Sequence, residues 1–292
     1  MRSDGWYTSP SQLEAEKRVV LRRFPRVVGR ETELREPGRF FTFDAAGVAL
    51  LLTCDPNGTP HAMQNLCRHR SARLVLEDEG SATSFVCRHH AWTYDLAGHL
   101  ARPGRVALPV ALERSLEQFA DECALVRYPL EARHGFLWVV PNARGSIDVA
   151  GVLGDLDGEL AARGVAEWRT LIRTRRVVAA GWKVVMDALL ADGASRLAMP
   201  SAVFVLGSDV VHHVAVYPTD VPDDVGHSDV VHTVLAPRPD VVLRVDPFVS
   251  VLALAERVAA GLGTGADREG ELRSHAPFHD ALDRALAPPT RE

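Results

Sequence analysis

The stretch that decides the fold begins with Cys67-Arg68-His69-Arg70 and resumes, sixteen residues later, with Cys87-Arg88-His89-His90-Ala91-Trp92. It contains two mixed pairs of metal-ligating residues, Cys67-x-His69 and Cys87-x-x-His90. Thiolates and neutral imidazoles are both metal ligands, and two short pairs on separate loops can hold one metal centre between them. The sequence therefore predicts a metal site that is built from two neighbouring loops.

This spacing favours a Rieske [2Fe-2S] cluster, in which two cysteines bind one iron and two histidines bind the other. Neutral imidazoles replace two anionic thiolates, so the reduction potential rises by on the order of hundreds of millivolts relative to an all-cysteine cluster. Zinc also accepts two cysteines and two histidines, but its pairs usually contain two residues of the same type. The mixed pairs therefore favour the cluster over zinc, and we interpret His89 as a loop residue beside it.

The flanking residues carry a family resemblance. The segments Asn65–Leu74 and Cys87–Gly98 resemble the two cluster-binding loops of Rieske non-haem iron oxygenases, the ring-hydroxylating oxygenase α-subunits. Those proteins usually carry glycine where this chain has Ser71 and Ala91. Respiratory-chain Rieske proteins have an extra cysteine in each loop, and neither loop has one here. The resemblance implies an α+β chain, with an N-terminal all-β Rieske domain and a shortened helix-grip domain of antiparallel sheet and helices.

Composition limits the classes of partner. The net charge of -5 and the pI near 6.2 give no reason to expect nucleic-acid binding. No apolar run approaches the ~18 residues that a membrane helix needs. The chain has four cysteines, two of them assigned to the cluster, and such sparse usage is typical of a reducing compartment. We therefore expect a cytoplasmic protein with no nucleic-acid or membrane partner.

Three segments are predicted along the chain. Residues 1–38 are a lead-in with a charged surface helix, residues 39–145 are the Rieske domain, and residues 146–292 are the C-terminal domain. In the Rieske domain, Asn57-Gly58 between two apolar runs predicts a β-hairpin. The C-terminal domain is predicted from β-branched runs and helical periods. Its strands are expected at 168–180, 202–206, 210–217, 230–235 and 241–245, and its helices at 155–163, 182–191, 249–260 and 277–286.

The resemblance also implies a mononuclear iron in the C-terminal domain, held by two histidines and one carboxylate. In the family an Asn-Trp-Lys sequence starts a helix, and two histidines five residues apart follow, often with a proline after them. The matching stretch here is Gly181–Pro200, and its register places Ala194 and Met199 at the histidine positions. A shift of one residue gives Ser195 and Pro200 instead. The carboxylate position falls near Val251.

None of these side chains suits ferrous iron, because an alanine has no lone pair and a methionine thioether is a soft ligand. Mononuclear Fe(II) is therefore not expected, and no residue receives a catalytic role. An atypical site that uses Asp187, Asp192 and one of His212 and His213 is the alternative. Asp192 is also the candidate for a residue that bridges the two metal sites of neighbouring subunits. His134, His227 and His232 are interpreted as strand-edge or surface residues.

The sequence leads to two functional hypotheses. In the first, the chain is a degenerate α-type subunit that accepts electrons from a ferredoxin or a flavin reductase. It passes them to, or stabilises, an iron-bearing α-type partner chain in a homo- or hetero-oligomer. In the second, it is an active mono- or dioxygenase of an aromatic or alicyclic substrate with an atypical iron site. A zinc-stabilised binding module without a redox role is a third hypothesis, and it predicts a colourless protein.

Overall fold

The computed structural model describes most of the chain in two compact units. The described residues are 3–104, 116–191, 193–219, 221, 224–241, 248–260 and 276–287. The first unit, here called the cluster unit, comprises Val28–Ala132 and Phe136–Ile147. The second, here called the C-terminal unit, comprises Met1–Val27, Arg133–Gly135 and Asp148–Glu292. The first 27 residues thus group with the C-terminal unit rather than forming a segment of their own.

The N-terminal segment is helical. Helix α1 spans Asp4–Thr8, α2 spans Pro10–Glu16, and a π-helical turn follows over Lys17–Leu21. Ser9 caps α2 by accepting a hydrogen bond from the Gln12 amide at 3.3 Å, and proline at the first helical position loses no hydrogen bond. The expectation of a solvated charged helix is wrong in part, because Glu16 and Lys17 are buried.

Within the described residues, the cluster unit is built from short antiparallel strands, one α-helix and a 3-10 turn over Glu31–Leu34. In chain order these elements are β1 (Arg26–Arg30), β2 (Arg39–Ala45), β3 (Val48–Cys54), β4 (Pro60–Gln64), β5 (Glu79–Ser81), β6 (Phe85–Val86), β7 (Thr93–Tyr94), β8 (Leu100–Arg102), α3 (Leu116–Glu122), β9 (Leu130–Arg133) and β10 (Phe136–Val139). They form three sheets with the orders β4-β3-β2-β5, β6-β7-β8 and β1-β10-β9. The first cysteine–histidine pair lies in the segment between β4 and β5, and the second pair lies in the turn between β6 and β7.

Tight turns fix the register of these strands. The predicted hairpin at Asn57-Gly58 joins β3 to β4, and Gly58 has a φ of 80°. The Asp55 carboxylate accepts hydrogen bonds from the amides of Asn57 and Thr59, both at 2.9 Å. Asp95 does the same in the turn between β7 and β8, where it accepts from Ala97 at 2.9 Å. Aspartates in these turns therefore replace the missing ladder hydrogen bonds.

The C-terminal unit combines a five-stranded antiparallel sheet with helices. After the N-terminal helices its elements are α4 (Val149–Leu153), α5 (Asp155–Ala162), β11 (Arg169–Val178), α6 (Trp182–Leu190), β12 (Arg196–Ala198), β13 (Ala202–Leu206), β14 (Val211–Pro218), β15 (Ser228–Ala236), α7 (Phe248–Ala260) and α8 (Ala276–Leu286). The sheet order is β11-β15-β14-β13-β12. The predicted α+β fold is confirmed. The strand predicted at 241–245 lies largely outside the described residues.

Burial follows the apolar content of these elements. All eight residues of β14 and all nine residues of α6 are buried, although α6 includes Lys183 and Asp187. Within the described ranges, no helix is both long and apolar enough to cross a membrane. Burial of charged residues in α6 requires specific partners, because an unpaired buried charge is strongly destabilising.

A buried network supplies these partners. The Lys183 Nζ donates to Glu16 Oε1 at 2.6 Å and to the Trp6 carbonyl, and the Trp182 Nε1 donates to Glu16 Oε2 at 3.0 Å. The ammonium group of Lys183 also lies 4.0 Å from the centre of the Trp6 ring. Helix α6 is therefore held to the N-terminal segment by ionic, hydrogen-bonded and cation–π contacts.

A second part of the network is centred on Asp187, further along α6. The Asp187 carboxylate accepts a hydrogen bond from the Tyr7 hydroxyl at 2.7 Å and lies 2.8 Å from the His279 Nε2. The His279 ring stacks on Trp6 with a centroid separation of 4.4 Å. The network therefore ties α1 and α8, which lie near the two ends of the chain, to the same helix.

Asp157 in the first turn of α5 supports a pH-dependent prediction. Arg133 donates to both of its carboxylate oxygens at 2.5 Å, and His134 Nε2 lies 2.7 Å from Oδ1. The Arg133 guanidinium lowers the pKa of Asp157 to about 2, and His134 adds to the effect. The folded pKa is depressed, so this stabilisation is present above the unfolded pKa of about 4 and is lost as the pH falls through about 2.

We expect Asp157→Asn to destabilise the C-terminal unit by up to about 2 kcal/mol at pH 7 and to have little effect near pH 2. Urea unfolding as a function of pH measures this difference. Asp155→Asn is the matched control, since Asp155 lies in the same helical turn and is exposed. Equal effects of the two substitutions at pH 7, or an Asp157→Asn effect independent of pH, would contradict the assignment.

Candidate metal centre

The two cysteine–histidine loops have the same backbone conformation. In the first, the Ser71 amide donates to the Cys67 carbonyl at 2.8 Å, and in the second the Ala91 amide donates to the Cys87 carbonyl at 2.9 Å. Ser71 and Ala91 have φ values of 55° and 57°. This left-handed conformation costs roughly 1–2 kcal/mol in a residue with a Cβ atom. The two positions at which similar loops usually carry glycine are therefore the two with a left-handed backbone, which favours glycine.

The loops bring the two thiols together. Cys67 and Cys87 are buried, with 2% and 3% exposure, and belong to the same apolar cluster. Burial raises the pKa of the Cys67 thiol, and the nearby Cys87 contributes to the rise. A buried thiolate pair needs a cation beside it, because the apolar surroundings do not stabilise the charge. Two iron-bound thiolates fit this arrangement.

The two imidazoles form a second pair on the solvent side. The Nδ1 atoms of His69 and His90 lie 3.2 Å apart, and both side chains are half-buried. Two nitrogens at about 2.1 Å from one tetrahedral metal ion would lie about 3.4 Å apart. Partial burial, with the His69 ring and the Arg70 guanidinium, lowers the pKa of His90 and so favours the neutral imidazole that a metal requires. The donor set therefore fits one iron on each pair.

The surroundings of the pairs are apolar on one side and cationic on the other. Buried hydrophobic residues enclose the thiols; they include Phe40, Leu51, Met63, Leu74, Val75, Phe85, Leu96, Leu100 and Leu125. Trp92 stacks on the His69 ring with a centroid separation of 5.1 Å. Outside the pairs, Arg68, Arg70 and Arg88 are exposed, and Arg88 donates to Glu77 at 2.9 Å. The exposed arginines therefore lie on the imidazole side of the site.

Tyr94 is a contact of this site to which sequence reasoning gave no role. Its hydroxyl lies 3.4 Å from the Cys67 Sγ and accepts a hydrogen bond from the Arg68 amide at 3.0 Å. Burial raises the pKa of the Tyr94 hydroxyl, so it stays protonated and can donate to the sulfur. In the sequence, this role of Tyr94 is indicated by its position in the second loop, seven residues after Cys87.

We expect Tyr94→Phe to lower the reduction potential of the centre. Reduction adds negative charge near the sulfurs, so a hydrogen bond to Cys67 Sγ stabilises the reduced state more than the oxidised one. A difference of about 1 kcal/mol corresponds to about 40 mV for one electron. Protein-film voltammetry measures the shift, and Tyr128→Phe is the control because Tyr128 is the other tyrosine of the cluster unit. An unchanged or raised potential in Tyr94→Phe would contradict this role.

The positions matched to the mononuclear iron lie on three different elements. Ala194 is exposed in the loop after α6, Met199 is half-buried in the turn after β12, and Val251 is half-buried on α7. The strand β12 lies between the first two positions. None of the three side chains offers an imidazole or carboxylate. These residues do not fit a two-histidine, one-carboxylate iron.

Histidines elsewhere in the C-terminal unit are more buried than expected. His212 and His213 lie on the buried strand β14, and His232, predicted at the surface, is buried on β15. His212 Nδ1 is 3.0 Å from His232 Nε2, and both rings pack edge-to-face on Phe248. His212 and His213 are therefore interior residues of the sheet. The valine-rich neighbours of these strands bury both faces.

The predicted alternative iron site is not assembled in the described part of the chain. Asp187 is bonded to Tyr7 and His279 instead, and Asp192 lies outside the described residues. Among the described residues, no three His, Cys, Asp or Glu side chains converge on one metal ion. His134 lies in the turn between β9 and β10 against Asp157, and His227 is exposed beside Asp224.

The chain is similar in sequence to several known proteins. The sequence model of the Rieske [2Fe-2S] domain matches residues 25–111. Choline monooxygenase of Spinacia oleracea is 32% identical over 139 residues, which are 40% of this chain and 31% of that protein. The glycine betaine monooxygenase oxygenase subunit of Chromohalobacter salexigens is 28% identical over 185 residues, which are 62% of this chain and 39% of that protein. The chain thus spans well under half the length of these relatives.

Solved structures give the fold over nearly the whole chain. The quaternary ammonium Rieske monooxygenase CntA, in complex with L-carnitine, superposes with a TM-score of 0.79 at 18% identity, covering 98% of this chain and 95% of that chain. Naphthalene 1,2-dioxygenase from Rhodococcus sp. superposes with a TM-score of 0.67 at 14% identity, covering 97% and 80%. The likeness of fold therefore extends through the C-terminal unit.

Proposed function

Because the chain belongs to the Rieske non-haem iron oxygenase family, we propose that it is an electron-transfer member that serves the iron of a partner chain. The observation that carries this proposal is a contrast between its two units. The cluster unit supports a Rieske centre, because Cys67 and Cys87 share one apolar cluster and the Nδ1 atoms of His69 and His90 lie 3.2 Å apart. In the C-terminal unit, the family register assigns Ala194, Met199 and Val251 to the iron-ligand positions, and none of them is a histidine or a carboxylate.

Cys67 and Cys87 would hold the buried iron, and His69 and His90 would hold the iron nearer solvent. When bound, the cluster supplies one-electron transfer at a potential above that of all-cysteine clusters. The protein residues exclude water from the thiol side, lower the pKa of the His90 imidazole, and place a tyrosine hydroxyl against one sulfur. The half-buried imidazoles leave an edge through which an electron carrier can approach.

The exposed arginines beside the imidazoles indicate the kind of electron donor. Arg68, Arg70 and Arg88 each lie within one or two residues of a proposed ligand, and all three are exposed. Such a rim attracts an acidic carrier and raises its association rate at low ionic strength. We infer that a ferredoxin or a flavin reductase docks here, and that the acceptor is the iron of another α-type chain in a homo- or hetero-oligomer.

A second candidate function is catalysis by this chain itself on a small substrate. The relatives are a choline monooxygenase and a glycine betaine monooxygenase subunit, and the second alignment extends over 62% of this chain. This hypothesis requires a third iron per chain, held by residues other than Ala194, Met199 and Val251. The two candidate functions therefore differ in iron content.

Iron and acid-labile sulfide analysis of the anaerobically purified protein tests the proposal. We expect about two irons and two sulfides per chain, because a Rieske centre contains two of each. The double variant Ala194→His with Met199→His is expected to bind no additional iron, since Ala194 is exposed and Val251, at the carboxylate position, offers no third ligand. Three irons in the native protein, with product formation when donor proteins are supplied, would replace this proposal with the catalytic one.

Electron delivery to a partner needs a separate measurement. An oxygenase chain of the family that retains its catalytic iron, but has lost its cluster by substitution of a ligand cysteine, is co-expressed with this protein. We expect a mixed oligomer whose turnover depends on this chain and is absent when this chain carries His90→Ala. Turnover that persists with His90→Ala would show that the electrons do not pass through this cluster.

A further inference from the structure

The edge strand β11 of the C-terminal unit has an unusual position. It forms one edge of the five-stranded sheet and is ten residues long, whereas β12 at the opposite edge has three residues. Among the described residues, β11 pairs only with β15. A long edge strand presents a row of backbone amides and carbonyls that can pair with another chain, and proteins usually shorten or cover such edges.

Both faces of β11 reach solvent. Ile172 is 41% exposed on one face and Val177 is 63% exposed on the other, while eight of the nine residues of β15 are buried. Exposed β-branched residues on a flat edge are typical of a surface that another strand covers. A register shift at Leu171 leaves residues 172–178 as the regular part of the edge.

The edge is also cationic. The strand has four arginines and no acidic residue, in a chain whose net charge is -5; the arginines are Arg169, Arg173, Arg175 and Arg176. Arg173, Arg175 and Val177 lie at alternate positions and share the face opposite to that of Ile172, and all three are exposed. Arg175 forms an ion pair with Asp229 of β15 at 2.9 Å. Positive charge is therefore concentrated along the row of backbone groups at this edge.

A second copy of this chain is a poor partner for the edge. If two copies were related by a two-fold axis, their β11 strands would pair in antiparallel orientation. Each register that pairs most of residues 172–178 then places arginines of the two copies in contact. These registers put Arg173 opposite Arg175, Arg175 opposite itself, or Arg176 opposite itself. Like charges directly opposite each other destabilise a strand pair. A neutral or basic strand gains nothing from these arginines, whereas an acidic strand does.

We propose that β11 is a docking edge for an extended acidic segment of another protein, which adds to the sheet as a sixth strand. Backbone hydrogen bonds along residues 172–178 provide the pairing, as in other strand-addition complexes. Carboxylates at alternate positions of the segment face Arg173 and Arg175, and apolar residues between them cover Ile172. This surface belongs to the C-terminal unit, so the proposal is independent of electron transfer through the cluster.

The test uses a fluorescein-labelled peptide in which glutamate alternates with valine, titrated with the intact protein by fluorescence anisotropy. We expect binding that weakens with added salt, because exposed charge pairs are screened. A peptide with lysine in place of glutamate should not bind. The same acidic peptide with N-methylated amides along one edge should also not bind, because it cannot form the backbone ladder.

Two matched variants complete the test. Arg173→Glu should weaken binding of the acidic peptide by about ten-fold or more, because it reverses a charge on the docking face. Arg144→Glu, which changes an exposed arginine of the cluster unit by the same charge, should leave binding unchanged. Absence of binding, equal binding of the N-methylated peptide, or equal effects of the two variants would each overturn the proposal.

Discussion

Cys87→Ser will remove the brown colour of the protein and reduce its iron from about two atoms per chain to close to none. Cys87 is one of two buried thiols that would hold the inner iron, and it lies in the same apolar cluster as Cys67. A serine hydroxyl is not deprotonated in this apolar environment and is a poor ligand for iron in a cluster. The loss of one ligand therefore removes both irons, because the two metals share their bridging sulfides.

The control is Cys54→Ser, which changes another buried cysteine of the same unit. Cys54 lies at the end of β3, and its thiol contacts the carbonyl of Asp55. This variant should keep full iron, sulfide and visible absorption. Iron analysis and the visible spectrum of both variants decide the matter. Retention of two irons in Cys87→Ser, or a colourless wild-type protein that contains zinc, would overturn the assignment of the centre.

Lys183→Met is expected to have the largest effect on stability. The ammonium group of Lys183 is 2.6 Å from the Glu16 carboxylate, and the two side chains are 4% and 0% exposed. Removal of the lysine leaves a buried carboxylate without its cation, which costs about 3–5 kcal/mol. For a unit of this size the melting temperature should fall by roughly 6–20 °C. Scanning calorimetry measures the transition of the C-terminal unit.

A double variant separates the charge effect from loss of packing. In Lys183→Met with Glu16→Leu both charges are absent, so the desolvation penalty of the remaining carboxylate is also absent. The double variant should be more stable than Lys183→Met alone. If it is less stable, the contacts of Glu16 with Trp182 and Gln12 contribute more than its pairing with Lys183. A loss below about 1 kcal/mol in Lys183→Met would mean that the pair behaves as a solvated one.

The two variants also test different parts of the proposed function. Cys87→Ser acts on the cluster unit, where the electrons would be held. Lys183→Met acts on the helix that corresponds, in the family register, to the start of the iron-binding stretch. Its charged partner Glu16 comes from the N-terminal segment, so this segment stabilises α6 through a buried ion pair.

The two cysteine–histidine loops could be predicted from the sequence because the residues that define each loop are neighbours in the chain. Each ligand pair lies within four residues, and each loop closes through a hydrogen bond from residue 71 or 91 to the cysteine four positions earlier. The hairpin at Asn57-Gly58 was predictable for the same reason, since turn geometry depends on adjacent residues. Four of the five strands of the C-terminal sheet were predictable from β-branched runs, whereas the three-residue strand β12 contains no such run and was missed.

Contacts between residues far apart in sequence were decided only by the tertiary structure. The burial of Glu16 depends on Lys183 and Trp182, and a charged residue in an apparently amphipathic segment gives no sign of such distant partners. The role of the Tyr94 hydroxyl and the burial of His232 on β15 are of the same kind. By itself the sequence determined the metal-ligand chemistry and the element types, which depend on neighbouring residues. The tertiary structure decided which polar groups are buried together and which strand is left at an edge, because pairing and burial are set by the whole sheet and its helices.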